Sequence, residues 1–334
     1  MTRHFRITIV FALVGVSAWQ PTLAQTYAEL LGYPKGARVL ILHVDDAGMS
    51  YDSNLGAERA LTEGVATSVS VMMPCPWVPG FVKFFKKNPA VDAGLHLTLT
   101  SEWDDYRWGP LMGQPAVPGL VDGHGALWPE VADVVKHAKA DEVEAEIVAQ
   151  IGRARAMGFD PTHLDSHMGT LFATPEFLER YIKVGIANQI PVMFPGGHGT
   201  LIAQQRAATP ELMAQMSALG KKIWSAGLPV LDDLHNVSYG WNYPPDPTLT
   251  DARLQAFATG KYIETIRMLK PGLTMVIMHC TAPTEVFRHI SDSGQIRKGD
   301  LLAMQDPAFK KFLETEGIIL TTWREVMNRR RAVK

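Results

Sequence analysis

Cysteine, unbalanced charge and long apolar runs are all scarce in this sequence. Its 334 residues include only 2 cysteines, Cys75 and Cys280, which is too few for a scaffold built on disulfides. Lysine and arginine total 32 against 34 acidic residues, so no excess of positive charge favours nucleic acid or an anionic membrane as the partner. We therefore expect a hydrophobic core to provide the stability and the partner to be small or neutral. The spacing leaves open whether the two cysteines pair.

No apolar run is long enough for a membrane-spanning helix, which needs roughly 18 residues. The longest, Ile7–Trp19, follows Arg3 and Arg6 and is followed by small residues up to Ala24. That order is typical of a secretory signal peptide. We expect residues 1–24 to be removed on export, leaving a mature protein without a membrane anchor in the periplasm or outside the cell.

The rest of the sequence lacks a Ser- or Gly-rich linker and internal repeats. Short β-rich runs instead alternate with helical patterns, which indicates strand–helix–strand units and mainly parallel strands. The clear strands are predicted at Arg38–Val44, Thr67–Met73, Val91–Leu97 and Leu273–His279, and the weaker ones at Thr162–Asp165, Pro191–Phe194, Gly227–Leu231 and Gly317–Trp323. About eight strands with helices between them predict one α/β domain over residues 25–334, a distorted (β/α) barrel.

Helix signals and one long connection complete the predicted architecture. Residues 141–157 have apolar side chains at helical spacing and end at Gly158, and Thr174 before Pro175 is typical of a helix start. The segment Trp103–Val135 is too long for a tight turn. We expect it to be an active-site loop.

Polar, titratable residues stand at four predicted strand ends. Asp45 and Asp46 follow the strand predicted at 38–44, and His96 stands near the end of the one at 91–97. His163, Asp165 and His167 stand at the end of the strand predicted at 162–165, and His279 ends the one at 273–279. Taken singly, each has an ordinary structural explanation, such as a solvated turn or a hydrogen-bonded core histidine. In a barrel, however, all four sites fall at the carboxyl ends of strands, the face where barrel enzymes build their active sites.

One carboxylate and two imidazoles from this group would form a three-ligand metal site with open positions for water and substrate. Imidazole ligands favour zinc or a similar transition metal over magnesium. Because Asp45 and Asp46 are adjacent at a strand end, we expect their side chains to point in different directions, one toward a cation and the other toward the reacting water.

Three of these segments resemble the motifs of a known family. Val44-Asp45-Asp46-Ala47-Gly48, Gly94-Leu95-His96-Leu97-Thr98-Leu99 and Asp165-Ser166-His167 are similar, in that order, to the motifs of the YdjC/ChbG-type carbohydrate deacetylases. The resemblance extends over residues 36–326. It implies a distorted β/α barrel with a divalent metal in its mouth and the removal of acetyl groups from N-acetylated sugars or oligosaccharides.

Residue by residue, the resemblance implies that Asp46, His96 and His167 bind the metal and that Asp45 is the general base. It places His279 near the metal, where a protonated imidazole would act as the acid or stabilise the intermediate. The chain departs from the family pattern at Gly169, where a further histidine is frequent, and at His279-Cys280-Thr281, where His-Pro-Gly is usual.

The expected function is metal-dependent deacetylation of a sugar amide, with zinc favoured and magnesium or another divalent ion possible. Other barrel enzymes that act on sugars, an isomerase or a phosphoesterase, are the first alternative, and an exported carbohydrate-binding barrel without catalysis is the second. Gly196-Gly197-His198-Gly199 is the candidate phosphate cradle. The loop aromatics are candidates for stacking on a pyranose ring; they are Trp103, Trp108, Trp128, Trp241 and Tyr243. The sequence predicts no oligomeric state.

Overall fold

A curled sheet of parallel strands lies at the centre of the structure, which is a computed structural model describing residues 25–241, 243 and 250–333. The predicted signal peptide lies outside the described residues. The strands are β1 Arg38–Ala47, β2 Ser68–Val71, β3 Ala93–Leu97, β4 Leu164–Ser166, β5 Asp233–His235, β6 Gly272–Met278 and β7 Ile319–Leu320. Their order is β4-β3-β2-β1-β6-β5, and β7 pairs with the first residues of β1.

Single parallel bridges extend this curl from β4 toward β5. Leu164 of β4 bridges to Val192, and Pro195 bridges to Leu231, two residues before β5 begins. All six pairings between the named strands are parallel. The prediction of a distorted α/β barrel with mainly parallel strands is thus confirmed.

Helices connect the strands and cover the sheet. They are α1 Tyr27–Leu30, α2 Tyr51–Thr62, α3 Val78–Lys87, α4 Val131–His137, α5 Ala140–Ala156, α6 Pro175–Asn188, α7 Thr200–Arg206, α8 Pro210–Ser225, α9 Asp251–Arg267, α10 Gly294–Met304, α11 Pro307–Thr315 and α12 Trp323–Ala332. The predicted helix starts and stops are confirmed for α5 and α6. Gly158 follows α5 with φ of 77°, and the Thr174 side chain accepts a hydrogen bond from the backbone N–H of Phe177.

Three of the weaker strand predictions were wrong in extent. Residues 191–194 and 227–231 contribute only the isolated bridges at Val192 and Leu231, and a short strand, β5, follows the second of them. Proline explains this, because Pro191, Pro195 and Pro229 have no backbone N–H to donate to a ladder. The predicted strand at 317–323 shortens to the two residues of β7.

Burial on both sides of the sheet explains why β1 and β6 are nearly continuous apolar runs. One apolar cluster packs helices against the outside of the sheet, and a smaller one, which includes Val39, Ile41 and Met275, contains alternate residues of β1 and β6. Cys75 and Cys280 are both buried and unpaired. Among the described residues, no helix is both long and apolar enough to span a membrane.

Candidate metal centre and active site

The carboxyl end of β1 contains an irregularity that places two carboxylates on the same side. The pairing of β1 with β2 shifts register between Val44 and Ala47, and Asp46 adopts φ of 68°, a left-handed conformation that Asp tolerates better than most residues. Both side chains approach His96 Nε2, Asp46 through Oδ1 at 3.3 Å and Asp45 through Oδ2 at 3.8 Å. A bulge reorients side chains in this way.

Asp46, His96 and His167 converge at the mouth of the barrel. Asp46 Oδ1 lies 3.3 Å from His96 Nε2 and 3.6 Å from His167 Nδ1, and one ligand atom from each residue lies within 4.8 Å of the others. All three residues are buried, with at most 5% of their surface exposed. The structure thus brings together the three residues that the resemblance implies as metal ligands.

The spacing of these atoms fits a bound cation. Two ligands about 2.1 Å from one ion at a tetrahedral angle are about 3.4 Å apart, which matches the two separations from Asp46 Oδ1. This oxygen is buried and has no hydrogen-bond partner among the described residues. A buried carboxylate oxygen without a partner is costly, so a cation bound there would explain both its position and its lack of a hydrogen bond.

Two neighbouring groups of histidine and aspartate fit a cation less well. Both include Asp165, whose Oδ1 is 2.6 Å from His96 Nδ1 and whose Oδ2 is 2.9 Å from His43 Nε2. The first is a hydrogen bond and the second is an ion-pair distance, and both are shorter than the spacing of about 3.4 Å expected between two ligands of a tetrahedral ion. Asp165 instead positions the His96 ring with Nε2 toward Asp46, as carboxylates commonly do behind a metal-binding histidine.

Arg297, which the sequence analysis missed, holds the other oxygen of Asp46. Its Nη1 donates a hydrogen bond of 2.7 Å to Asp46 Oδ2, and both side chains are buried. Burial raises the pKa of Asp46, but the charge of Arg297 and the nearby ring nitrogens of His167 and His96 outweigh it and hold the pKa well below its usual value. Asp46 is therefore ionised, as a metal ligand must be.

The only sequence signal for Arg297 is its position in α10. Arg297, Leu301 and Met304 share the buried face of that helix at i, i+4 and i+7. A cation at an apolar position of an amphipathic helix indicates a buried acidic partner.

Glu102 was also missed, although it stands next to the predicted loop. Its Oε2 lies 3.0 Å from His167 Nε2, on the side of the ring opposite Asp46. Burial lowers the pKa of His167, but Glu102 and Asp46 raise it to about 9. Glu102 thus orients the His167 ring with Nδ1 toward the site, as Asp165 orients His96.

Asp45, the predicted base, lies beside the metal site without being part of the three-ligand set. Its Oδ2 is 3.8 Å from both His96 Nε2 and His279 Nε2. Its Oδ1 accepts a hydrogen bond from Ser70 Oγ and lies 3.1 Å from His43 Nε2. One oxygen is held from behind while the other faces the cavity, an arrangement suited to accepting a proton from water.

His279 completes the group of predicted residues on the opposite side of Asp45. Asp300 fixes its backbone, because Asp300 Oδ2 accepts a hydrogen bond from the His279 N–H. Burial lowers the pKa of His279 to about 4. The imidazole is thus neutral at neutral pH in the free protein, and it would have to gain a proton during a reaction to act as an acid.

These residues open into a cavity of about 1110 Å³. Of the five predicted stacking aromatics, Trp103 lines it, together with Tyr239, which was not predicted. Trp108 is buried and donates to Thr100 O, Trp128 stacks on His137, Trp241 packs on Tyr262 and Tyr243 on Phe257. Trp103 and Val131 place both ends of the predicted active-site loop at the cavity, and Arg297 lies over the Trp103 and Tyr239 rings.

The sequence matches the profile of the YdjC-like protein family over residues 39–315, a range that contains every residue of the site. The chain belongs to the YdjC-like protein family. Among curated relatives, a carbohydrate deacetylase of Thermus thermophilus is 32% identical to this chain over 87% of this chain and 94% of its own length. A chitooligosaccharide deacetylase of Yersinia enterocolitica is 32% identical over 39% of this chain and 49% of its own length.

Among solved structures, a candidate cellobiose-phosphate cleavage protein of Enterococcus faecalis superposes with a TM-score of 0.69. The superposition covers 87% of this chain and 99% of that one at 19% sequence identity. At that identity the likeness shows a shared fold.

Proposed function

We propose that this YdjC-like protein is a metal-dependent hydrolase that removes the acetyl group from an N-acetylated sugar or oligosaccharide. The observation that carries the proposal is the buried Asp46 Oδ1, which finds no hydrogen-bond partner in the part of the chain that the structure describes and faces the ring nitrogens of His96 and His167 at ligand spacing. Asp45 beside it supports catalysis, because a purely structural metal would not need a second carboxylate facing the cavity. The deacetylase relatives support the substrate class.

Asp46, His96 and His167 would hold a divalent ion, and two imidazoles favour zinc, although magnesium, manganese or cobalt also fit the oxygen ligand. Such an ion supplies Lewis acidity for the amide carbonyl and for the attacking water. Arg297 and Asp165 keep the carboxylate and one imidazole in place, so that little reorganisation is needed when substrate binds.

Asp45 takes the proton of the attacking water on Oδ2, while Ser70 holds Oδ1. His279, 3.8 Å from the same oxygen, is placed to pass a proton to the departing amine. Because its pKa is near 4, His279 becomes a proton carrier only when negative charge develops beside it.

The glycine-rich segment at residues 196–199, the candidate phosphate site of the phosphoesterase alternative, is closely packed. A Cβ on Gly196 would lie 2.6 Å from the Cα of Gly220, and one on Gly197 would lie 2.5 Å from the Cα of Asp232. Close backbone packing therefore accounts for these glycines, and the segment offers no open loop for a phosphate.

The deciding experiment measures acetate release from N-acetylated mono- and oligosaccharides by metal-stripped protein supplied in turn with Zn, Mg, Mn or Co. Sugar phosphates serve as the parallel substrates, with phosphate release measured. Acetate release that depends on one of the metals is expected. Phosphate release without acetate release would favour the phosphoesterase, and sugar binding by metal-loaded protein without either product would favour a binding protein.

Two variants separate the proposed ligand from the proposed base. Asp46→Ala is expected to lose bound metal and turnover together, whereas Asp45→Asn keeps the metal and loses turnover, by roughly 100-fold or more for a general base. Metal content measured on the purified variants distinguishes these outcomes. An Asp45→Asn variant with wild-type turnover would remove the base assignment.

We also propose that the protein is exported, on the signal-peptide pattern of residues 1–24. Once that peptide is removed, the new amino terminus would lie close to α1, where Asp232 accepts hydrogen bonds from the backbone N–H groups of Tyr27 and Ala28. Amino-terminal sequencing of protein recovered from the periplasm or medium should begin near Gln25. Full-length chain found in the cytoplasm would contradict export.

A further inference from the structure

The cavity in front of the metal centre has one polar and one apolar side. The polar side consists of the site residues described above, with Ser291, Asp292 and Ser293 before α10. The apolar side comes from the turn after His167, from α6, α7 and α8, and from the barrel interior. Its members are Met168, Phe172, Leu178, Met193, Phe194, Ile202, Leu212, Met216, Leu219, Leu234 and Ile277. Most of these side chains are aliphatic.

Several apolar side chains on this side are exposed. Met168 is 44%, Phe172 36% and Leu212 45% exposed, although all three line the cavity. Contiguous exposed apolar surface in a concave site marks a binding region. Met193, Ile202, Leu234 and Ile277 belong to the apolar cluster inside the barrel, so the apolar side continues directly into the core.

An oligosaccharide does not fit this side. Each pyranose ring carries hydroxyl groups around its rim, and a hydroxyl that loses water without gaining a hydrogen bond is costly. Aliphatic side chains offer no such bonds, and among the side chains of α7 and α8 that the structure describes, Gln215 is the polar one that lines the cavity. Linear hydrocarbon, by contrast, gains free energy from every methylene buried there.

We propose that the substrate is an N-acylated sugar bearing a linear aliphatic chain, with the sugar amide at the metal centre and the chain against α7 and α8. This inference rests on the proposed hydrolysis of a sugar amide and adds an aliphatic chain to the substrate; where that chain is the N-acyl group, it takes the place of the acetyl group. The same chemistry could come from an aglycone on the anomeric carbon or from a long N-acyl chain, and two series of ligands separate these sources.

The first measurement is binding, which requires no turnover. Methyl, butyl and octyl β-glycosides of N-acetylglucosamine are titrated into the zinc-loaded protein below their micelle concentrations, and N-acetyl, N-butanoyl and N-octanoyl glucosamine methyl glycosides form the second series. Each methylene buried should tighten binding about fourfold, so four buried methylenes give roughly 200-fold. Equal dissociation constants within both series would overturn the proposal.

The apolar side of the cavity is tested with Leu212→Gln, which alters an exposed side chain of α8. Binding of the octyl ligand in the favoured series should weaken about tenfold, while binding of the methyl ligand stays unchanged. Met268→Gln is the matched control, because Met268 is 55% exposed and is not among the residues that line this cavity. If Leu212→Gln weakens binding of the octyl and methyl ligands equally, the aliphatic chain of the ligand does not lie against the apolar side of the cavity.

Hydrolysis of the sugar amide, which releases the carboxylate and leaves the amino sugar, is then measured on the same ligands. If longer chains bind more tightly but no ligand is hydrolysed, the apolar site stands and the proposed hydrolase function fails. If only short-chain and unsubstituted oligosaccharides are bound and hydrolysed, the function stands and this inference fails.

Discussion

Arg297 Nη1 lies 2.7 Å from Asp46 Oδ2, in a buried ion pair that leaves Oδ1 of the same carboxylate directed at the two histidines. Replacing Arg297 by an uncharged residue leaves the Asp46 carboxylate buried without the positive charge that stabilises it. Arg297→Met should therefore lower the free energy of unfolding of the metal-free protein by about 3–5 kcal/mol, measured by urea denaturation. Added zinc should restore part of the loss, because it supplies positive charge to the same carboxylate.

The control for this variant is Arg288→Met. Arg288 pairs with Glu285 on the surface, where both side chains are more than 60% exposed, and such pairs contribute about 1 kcal/mol or less. If the two methionine variants unfold at the same urea concentration, the Arg297–Asp46 pair does not have the role assigned to it.

Asp165 is expected to control metal affinity without touching the metal. Its Oδ1 is 2.6 Å from His96 Nδ1 and fixes the ring with Nε2 toward Asp46. Asp165→Asn keeps the size of the side chain but weakens its hydrogen bond to the His96 ring. Metal affinity should therefore fall about 10–100-fold in a competition assay with a chelator.

Asp92→Asn provides the comparison. Asp92 is also buried, but its carboxylate accepts hydrogen bonds from the backbone N–H groups of Trp323 and Arg324, at the start of α12. This change should lower stability and leave metal affinity as it is. An equal loss of affinity in both variants would mean that Asp165 acts only through general stability.

Gly56 is expected to be essential for the placement of the chain that follows His279. A Cβ at Gly56 would lie 2.4 Å from Cys280 O and from the Cα of Thr281. Gly56→Ala must displace backbone, so we expect a loss of about 1–3 kcal/mol in the free energy of unfolding and a lower kcat/KM.

Gly152→Ala in α5 is the matched change, since a Cβ there has no neighbour within 4 Å. Alanine is a better helix former than glycine, and we expect it to raise stability by about 0.5–1 kcal/mol with unchanged activity. Thermal unfolding and initial rates check both variants. Stabilisation by Gly56→Ala would show that α2 and the chain after His279 are not in close contact.

Strand-end position predicted that polar side chains meet on one face of the sheet, and the family resemblance singled out Asp46, His96 and His167 among them as the metal ligands. Asp46, His96 and His167 stand at strand ends, and the carboxyl ends of parallel strands lie on one face of the sheet. Their convergence thus follows from fold class and position alone. The helix starts and stops at Gly158 and Thr174 were predictable for a similar reason, because local chemistry determines them.

What could not be predicted depends on tertiary contacts. The orientation of Asp45 and Asp46 accompanies a register shift in the pairing of β1 with β2, which the sequence of β1 alone does not reveal. Glu102 and Arg297 reach the site from a loop and from a helix 195 residues apart in the sequence, and no local pattern links them. The isolated bridges near Pro191 and Pro229 show the same limit, since an apolar run does not reveal how many backbone hydrogen bonds it can form with a neighbouring strand.

His43 is expected to make the stability of the metal-free protein depend on pH. It is fully buried, with Asp45, Asp165, Ser70 and the ring of His163 around it. Burial lowers its pKa, but the two carboxylates outweigh burial and raise the pKa from 6.5 to about 9. A pKa raised by folding means that folding favours the protonated form, so this stabilisation is complete below pH 6.5 and is lost as the pH rises through about 9.

A shift of this size corresponds to about 3 kcal/mol at most. The measurement is the difference in free energy of unfolding between the wild-type protein and His43→Gln, taken with chelator at several pH values from 6 to 10. Taking the difference cancels to first order the contribution of His167, whose pKa is also raised to about 9. We expect the advantage of the wild-type protein to shrink across that range; a difference independent of pH would show that His43 is neutral in the folded protein.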